Sequence, residues 1–366
     1  MYCLSVAGRP QPVKQGLRDH SPEAPEKGLA GEAVAVLGYG CMGRTAALNL
    51  RDSGAKIRIG NRDDEYGARA HEEGFEVVPL AAAATGDIVF VLLPDEVIPS
   101  VFATEVAPKL REGSAVAFAS GYSLAYGLVE LPAFVDVLLV APRMAGESAR
   151  TRFLRGQGFW ACVGVEADRS GRAQQRMLGL AQGLGVLRAG GIEMSAKLEA
   201  ALDLFVEQTV GAVLGQAIMT AFEVAREAGV PAEALVVEMY MSGEMETVFE
   251  SFRNVGFFRA SEAHGSAAIF GGITRTLEMD HAAMAASFRN VLEDIQSVGF
   301  ARRFQEEERN GYTMLALARE MIRRECPISA AEDHVRRLSS GTSGRTDDKA
   351  PSSPAGACDS RRGSAT

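Results

Sequence analysis

The chain has 366 residues, of which 47% are hydrophobic and 23% charged, a balance typical of a globular protein with room for two domains. Its formal net charge of -9 disfavours a nucleic-acid partner, because no basic surface would offset the repulsion from phosphates. The five cysteines lack metal-ligand spacing, no apolar run approaches the roughly 18 residues of a membrane span, and no secretory signal is evident. We therefore expect a cytoplasmic protein with no membrane partner.

The predicted elements divide the chain once, near residue 190. Residues 1–31 and 339–366 are rich in Pro, Gly, Ser and charge without periodicity, and we expect both to be disordered. Residues 32–190 alternate short apolar runs with helical stretches, which predicts a parallel sheet covered on both faces, as in a Rossmann-type domain. Residues 191–338 show helical patterns only. The fold class is therefore α/β, with an all-helical C-terminal domain. The strand-like runs are AVAVLGYG, KIRIGNR, DIVFVLLP, SAVAFAS, VDVLLVAP and FWACVGV.

The first of these runs leads into GYGCMG, which holds Gly38, Gly40 and Gly43 in G-x-G-x-x-G spacing and opens a helical pattern. The motif alone is weak, but its place between a strand and a helix makes it informative. The first glycine allows a tight turn, the second lets the backbone approach a pyrophosphate, and the third permits close packing of helix and strand. The helix N-terminus then offers free N–H groups to the phosphates. The alternative is a plain structural turn.

The end of the second run, IGNRDDEYG, bears on the choice between NADH and NADPH. Arg62 could stack on adenine and pair with a 2′-phosphate, which favours NADPH. Asp63, Asp64 and Glu65 would repel that phosphate and could accept a hydrogen bond from a ribose 2′-hydroxyl. An exposed acidic loop is an equal alternative for each acid, so the sequence leaves the choice open.

The stretch KLEAALDLFVEQ places Glu199, Asp203 and Glu207 four residues apart, on one face of a predicted helix. Like charges at this spacing destabilise a helix by a few tenths of a kcal/mol per pair. Neighbouring apolar residues such as Leu202 and Phe205 favour burial of the same helix. Something other than helix propensity must account for this row of acids.

Several motifs together resemble ketol-acid reductoisomerase, the acetohydroxyacid isomeroreductase of branched-chain amino-acid biosynthesis. The resemblance covers roughly residues 33–338 in the family's order. It implies an oxidoreductase that uses NADPH or NADH, with NADPH favoured, together with Mg²⁺. It also implies a homodimer whose interlocked, knotted helical domains share active sites. The motifs are GYGCMGRTAALNLRDSG, LLPDEV, LDLFVEQ, IQSVGFARRF and ERNGY. The residues assigned to the cofactor are Gly38, Tyr39, Gly40, Cys41, Met42, Gly43, Arg62, Pro94, Asp95 and Gly146.

The resemblance implies that Asp203 and Glu207 coordinate Mg²⁺, since a hard cation takes oxygen ligands and acids four apart on a helix point the same way. Glu199, one turn earlier, either supports these ligands or is solvated. In the family, two further glutamates on a later helix complete the site across the dimer interface. One alignment supplies Glu244 and puts Tyr240 at the first position.

The other alignment supplies Glu238 and loses the second glutamate, so one ligand is missing either way. Ser261 falls where the family has a substrate-binding serine, although an ordinary turn serine is an equal alternative.

Two further departures from the family affect the proposed catalytic residues, which are Ser120, Arg143, Asp203 and Glu207. Ser120 stands where the family has histidine, and Arg143 replaces the lysine of an APK loop. A lysine with a depressed pKa can transfer a proton, whereas arginine effectively cannot. Arginine can still orient a carboxylate through paired hydrogen bonds.

The family reaction combines alkyl migration in a 2-acetohydroxy acid with reduction of the resulting 2-keto acid. Migration depends on metal-polarised oxygens and proton relay, so these departures threaten it more than hydride delivery. Three hypotheses follow. The chain is a working reductoisomerase, a divergent relative that only reduces a keto acid or imine in a specialised pathway, or a nucleotide-binding protein without catalysis.

Overall fold

A computed structural model describes residue 29, residues 31–323 and residues 326–340. The predicted disordered arm, residues 1–31, lies outside these residues except at positions 29 and 31. The predicted tail lies outside them except at its first two residues, which end the last helix. The chain divides into two compact units, with the boundary between Leu202 and Asp203.

The described part of the first unit contains one eight-stranded sheet. Its strands are β1 (Ala33–Leu37), β2 (Lys56–Gly60), β3 (Glu76–Val78), β4 (Ile88–Val91), β5 (Ala115–Phe118), β6 (Asp136–Pro142), β7 (Ala161–Ala167) and β8 (Gly191–Glu193). Their order is β3-β2-β1-β4-β5-β6-β7-β8, and neighbours are parallel except β6 and β7. The strand order reverses between β1 and β4, which is where open α/β sheets bind ligands at the carboxyl ends of their strands.

The sheet confirms the predicted α/β class and corrects three details. β7, the run predicted as another parallel strand, pairs antiparallel with β6. An apolar strand reads the same in either direction, so the sequence pattern could not reveal this. β3 and β8 were not predicted, because three-residue strands are too short to show a period. β8 also lies in the segment that was expected to hold helices only.

Helices cover both faces of this sheet. The side chains of β1 alternate between two buried clusters: Val34 and Val36 join one, whereas Ala35 and Leu37 join the other. This alternation is expected for a central strand buried on both faces. The helices are α1 (Cys41–Asp52), α2 (Glu65–Glu72), α3 (Leu80–Ala83), α4 (Ile98–Val101), α5 (Tyr122–Ala125), α6 (Gly146–Leu154) and α7 (Ala173–Leu184), with a π-helical turn at Phe102–Val106 and 3-10 turns at Ala107–Lys109 and Val186–Arg188.

The second unit is helical throughout its described residues, as predicted, and α8 runs into it from the first unit. Its helices are α8 (Ala196–Val206), α9 (Ala212–Glu227), α10 (Ala232–Val236), α11 (Glu244–Val255), α12 (Phe257–Ala260), α13 (Ser266–Glu278), α14 (His281–Gln296), α15 (Gly299–Arg309), α16 (Thr313–Arg323) and α17 (Pro327–Ser340). π-helical turns lie at Glu207–Gly211 and Val237–Met241, and a 3-10 turn at Ser261–Ala263.

The helical unit buries few large side chains of its own. Phe222, Val236 and Ala331 form its buried cluster. The helical run Ala196–Glu227 is long and apolar enough to cross a membrane by length and composition, and only 6% of its most apolar window is buried. The run is interrupted by polar residues, so it is not a continuous apolar segment. Several of its apolar side chains, such as Leu198, Val206 and Val210, are exposed in the described chain.

Candidate active site

The loop between β1 and α1 has the shape of a phosphate-binding turn. Gly38 adopts a φ of +91°, and a Cβ there would lie 2.9 Å from the Leu92 carbonyl oxygen. A Cβ on Gly43 would lie 2.0 Å from the Gly38 carbonyl oxygen. Packing therefore requires both glycines. Gly40 differs, because its φ is -67° and a Cβ would meet nothing within 4 Å. Protein packing does not explain this glycine, whereas close approach of a pyrophosphate does.

Tyr39 faces into the core instead of towards a ligand. Its side chain is buried, its ring packs edge-on against Phe75 at 5.7 Å, and its hydroxyl donates to Glu73 Oε2 at 2.6 Å. Its backbone N–H donates to Asn61 Oδ1 at 3.2 Å. Burial and the adjacent Glu73 carboxylate raise the pKa of Tyr39. The sequence prediction that Tyr39 contacts the cofactor is therefore not supported for its side chain, which holds the loop from the protein side.

Cys41, Met42 and Gly146 lie beside this loop. Cys41 is the first residue of α1 and Gly146 the first of α6, and a Cβ on Gly146 would lie 2.4 Å from the Cys41 carbonyl oxygen. The Thr45 hydroxyl donates to the Gly146 carbonyl at 2.7 Å. Gly146 thus lets the two helix starts approach each other, a packing role next to the predicted site. Cys41 and Met42 are half-buried.

One of the three acidic residues in the loop after β2 has a structural role. The Asp64 carboxylate caps α2 by accepting the N–H groups of Tyr66 and Gly67, each at 3.0 Å. The side chain of Arg62 is 72% exposed, with its Nε 3.5 Å from Asp64 Oδ2. Asp63 is also exposed. The structure therefore assigns Asp64 to a helix cap, while Arg62 and Asp63 remain exposed in the loop that follows β2.

Pro94 and Asp95 form the turn that leads from β4 to α4. The Pro94 carbonyl accepts the N–H groups of Val97 and Ile98 at 2.9 and 3.1 Å. The turn follows Leu92, whose carbonyl oxygen limits Gly38. Both residues therefore lie at the carboxyl edge of the sheet, on the same side as the β1–α1 loop.

Glu199 is a buried carboxylate between two parts of the sheet edge. Its side chain is 1% exposed, its Oε2 accepts the Gly121 N–H at 2.6 Å, and its Oε1 accepts a hydrogen bond from the Arg143 guanidinium. A Cβ on Gly121 would lie 2.2 Å from the Ala196 carbonyl oxygen, so glycine is required there. The solvated alternative for Glu199 is wrong. Arg143 is held by an ion pair with Glu199, and its guanidinium, which keeps its proton, cannot act as a proton carrier.

Ser120 immediately precedes this contact. Its hydroxyl accepts the N–H of Tyr122, the first residue of the short helix α5, at 3.2 Å. The structure thus brings Ser120, Arg143 and Glu199 together at the carboxyl ends of β5 and β6. Glu199 was missed as a central residue, although its charge at helical spacing from Asp203 was a signal.

The two predicted magnesium ligands follow in the helical unit. Asp203 lies half-buried in α8, and Glu207 is exposed at the start of the π-helical turn Glu207–Gly211. Mg²⁺ is usually held by one or two carboxylates and several waters, so this donor set fits the ion. The described residues contain no group of three or more His, Cys, Asp or Glu placed to bind a metal. Glu244 therefore does not join the two acids within one described chain.

Glu244, Tyr240 and Ser261 have local roles in the helical unit. Glu244 is the exposed first residue of α11. The Tyr240 hydroxyl donates to Glu332 Oε1 at 2.7 Å, and burial together with this carboxylate raises the pKa of Tyr240. The Ser261 hydroxyl donates to the Phe258 carbonyl at 2.7 Å. Glu238 is exposed, as is Glu244, so each of the two alignments supplies one accessible carboxylate.

Comparison with known proteins identifies both parts of the chain. The family model described as acetohydroxy acid isomeroreductase, NADPH-binding domain, matches residues 28–190. The model described as ketol-acid reductoisomerase, C-terminal domain, matches residues 197–340. The ketol-acid reductoisomerase (NADP(+)) of Methanopyrus kandleri is 37% identical over 298 residues, which are 80% of this chain and 90% of that protein.

Solved structures agree with these matches. An NADH-preferring ketol-acid reductoisomerase from an uncultured archean superposes with a TM-score of 0.80 at 30% identity, over 84% of this chain and 94% of that chain. A semialdehyde dehydrogenase NAD-binding protein from Cupriavidus necator superposes with a TM-score of 0.53 at 20% identity, over 71% of this chain and 99% of that chain. The second likeness shows the fold alone.

Proposed function

The chain belongs to the ketol-acid reductoisomerase family of oxidoreductases, and we propose that it isomerises and reduces a 2-acetohydroxy acid with NADPH or NADH and Mg²⁺. The observation that carries the proposal is the open position at Gly40, where a Cβ would meet no atom of the described residues within 4 Å. It lies in the segment that matches the NADPH-binding domain. Asp203 and Glu207 lie in the segment that matches the C-terminal domain.

Different residues of the chain bind the cofactor, the metal and the substrate in this reaction. The N–H groups at the start of α1 bind the pyrophosphate. Asp203 and Glu207 hold Mg²⁺, and Glu244 of a second copy adds a ligand. When bound, the nicotinamide supplies hydride and the metal supplies positive charge near the substrate oxygens. Glu199 fixes the Arg143 guanidinium, which orients the substrate carboxylate. Ser261 contributes to substrate binding.

A second candidate function is reduction of a keto acid or imine without rearrangement. It is favoured by the ion pair between Arg143 and Glu199, because a guanidinium keeps its charge and cannot relay a proton. The bond from Tyr240 to Glu332 favours it as well, since one alignment places Tyr240 where the family has a metal-binding glutamate. Hydride delivery needs fewer groups than alkyl migration.

Two substrates separate these functions in the purified full-length protein. Oxidation of NADPH or NADH with 2-acetolactate and Mg²⁺ supports isomerisation followed by reduction. Turnover of 3-hydroxy-3-methyl-2-oxobutanoate, which is already rearranged, without turnover of 2-acetolactate supports reduction alone. Turnover of neither substrate with either cofactor would contradict the first proposal, and an additional imine panel would then test the second.

The metal assignment has its own test. Asp203→Asn should abolish Mg²⁺-dependent turnover while leaving the cofactor dissociation constant unchanged, because the substituted carboxylate lies outside the nucleotide-binding domain. Glu223→Gln, which changes an exposed acid on α9, is the matched control and should retain activity. Full activity of Asp203→Asn across a Mg²⁺ titration would show that Asp203 is not a ligand.

We also propose a cytoplasmic homodimer formed through the helical unit. The helical unit exposes many large apolar side chains, and large exposed apolar patches mark interaction surfaces. The most exposed aromatic residues are Phe249, Phe257, Phe258 and Phe270. A second copy is the occupant that would cover them and complete the metal site. Light scattering of the purified chain should give twice the monomer mass, and a monomer at micromolar concentration would contradict the proposal.

A further inference from the structure

We infer that Asn61 is a positioning residue that joins the two loops of the cofactor site. The phosphate loop is Gly38–Gly43, and the ribose loop is Asn61–Asp64. The inference rests on the proposed function, because it concerns how that site binds its dinucleotide. No contact between Asn61 and the cofactor is required. The residue acts by holding other groups in place.

The side-chain amide of Asn61 forms hydrogen bonds with both loops. Its Oδ1 accepts the backbone N–H of Tyr39 at 3.2 Å, in the phosphate loop. Its Nδ2 donates to Asp64 Oδ1 at 2.7 Å and to the Arg62 carbonyl at 2.9 Å, in the ribose loop. The amide cannot be flipped, because the N–H of Tyr39 needs an acceptor and the carboxylate of Asp64 needs a donor. The Asn61 backbone is fixed by its N–H bond to Val78 at 3.1 Å.

Through Asp64 the same side chain determines where α2 begins. Asp64 caps this helix with the bonds to Tyr66 and Gly67 described above. Gly67 fits tightly here, since a Cβ on it would lie 2.7 Å from the Arg62 carbonyl oxygen and 3.3 Å from Asn61 Nδ2. The backbone that presents Arg62 to the ribose is therefore held between Asn61 and the first turn of α2.

The far end of α2 is tied to the phosphate loop as well. Glu73, which follows the last residue of α2, accepts the Tyr39 hydroxyl at 2.6 Å and Arg44 Nε at 2.8 Å. Tyr39 is thus connected to both ends of one helix, through Asn61 at the start and through Glu73 at the end. A displacement of the phosphate loop would move α2 with it.

This connection has a consequence for cofactor choice. Groups that are held in their binding geometry before the ligand arrives bind it more tightly, because less order has to be imposed on binding. Discrimination between NADPH and NADH arises in the ribose loop. The phosphate loop alone cannot distinguish them. Loss of the Asn61 amide should therefore weaken the preferred cofactor more than the other one.

Two variants of Asn61 separate this role from a structural one. Asn61→Leu removes both the acceptor and the donor. Asn61→Asp keeps an acceptor for the Tyr39 N–H but places a carboxylate against Asp64, so only the link to the ribose loop is lost. Asn49→Leu is the control for loss of a buried asparagine, because Asn49 is buried and bonds to the Leu184 carbonyl at 3.1 Å.

Dissociation constants for ADP, NADH and NADPH are measured by calorimetry on each full-length variant. For Asn61→Leu we expect about a tenfold loss for the preferred cofactor, a smaller loss for the other, and a kcat at saturating cofactor within about twofold of the parent. Asn61→Asp should lose discrimination between NADPH and NADH, because only its link to the ribose loop is broken. Asn49→Leu should lower the melting temperature without changing the ratio of NADPH to NADH affinity.

Equal losses for NADH and NADPH in both Asn61 variants, or none, would overturn the inference. If Asn61→Leu does not fold, the ratio in Asn61→Asp decides alone. Failure of the proposed function looks different, because the unsubstituted chain would then turn over neither 2-acetolactate nor 3-hydroxy-3-methyl-2-oxobutanoate, whatever the ratio of its NADPH and NADH affinities.

Discussion

The buried carboxylate of Glu199 binds the guanidinium of Arg143 through Oε1 and accepts the Gly121 N–H at Oε2. Arg143→Met would remove this cation from the Glu199 carboxylate, which is buried, with only 1% of the side chain exposed. We expect the free energy of unfolding to fall by about 3 kcal/mol at neutral pH, as for other broken buried pairs. Urea denaturation measures it.

Arg143→Lys is the control, because it keeps a cation and should retain most of the stability. Equal stability of the Met and Lys variants would show that the ion pair contributes little.

Arg143→Lys also tests what this position does to the reaction. A lysine ammonium can lose and regain a proton when its pKa is lowered, whereas a guanidinium cannot. We expect the variant to turn over 2-acetolactate at least about tenfold better, relative to 3-hydroxy-3-methyl-2-oxobutanoate, a factor within the usual contribution of a positioned acid or base. Steady-state kinetics with both substrates give the ratio. An unchanged ratio would mean that residue 143 does not limit isomerisation.

Glu73 should make the nucleotide-binding domain sensitive to acid. Burial alone would raise the pKa of Glu73, but hydrogen bonds from Arg44 and Tyr39 lower it below its ordinary value of 4.5. A carboxyl whose pKa is lower in the folded state stabilises the fold above its unfolded pKa, and this stabilisation is lost as the pH falls through the folded pKa. The parent should therefore exceed Glu73→Gln in stability at pH 7, by about 1.5–3 kcal/mol for charged hydrogen bonds.

The difference between the two proteins should narrow below about pH 4.5 and vanish at lower pH. Thermal melts across this pH range check it. Tyr39→Phe removes only one of the hydrogen bonds and should show a smaller loss. A difference between the parent and Glu73→Gln that is independent of pH would contradict the assignment.

Local patterns were enough to predict the fold and the phosphate loop. The alternation of apolar strands and helices, and the glycine spacing between β1 and α1, are encoded within a few residues of each other. The antiparallel direction of β7 was not predictable, because it depends on where the chain enters the sheet. Strands of three residues, such as β3 and β8, carry no readable period.

Residues whose roles depend on distant partners were harder to assign. Tyr39 was predicted to contact the cofactor, but its side chain is buried in the core. Its hydrogen-bond partners, Asn61 and Glu73, lie 22 and 34 residues away in the sequence. Glu199 meets Gly121 across 78 residues of sequence. The local sign of its importance was its charge at helical spacing from Asp203 on a largely apolar helix.

The three glycines of the phosphate loop offer a test that separates folding from binding. A Cβ on Gly43 would lie 2.0 Å from the Gly38 carbonyl oxygen, so Gly43→Ala must displace α1 or the turn. We expect it to destabilise the fold by about 1–3 kcal/mol, as overpacking does. Circular dichroism melts measure the loss.

Gly40→Ala should behave in the opposite way. The backbone of Gly40 is extended, with φ -67° and ψ -166°, and a Cβ would meet no protein atom within 4 Å, so the melting temperature should not change. If a pyrophosphate lies against this glycine, the added methyl group must push it away, and affinity for NADPH and NADH should fall at least about tenfold, or 1.4 kcal/mol. Calorimetry with each dinucleotide gives the value. Unchanged affinity in a folded Gly40→Ala protein would place the phosphates elsewhere, because among the described residues no atom lies within 4 Å of the added methyl group.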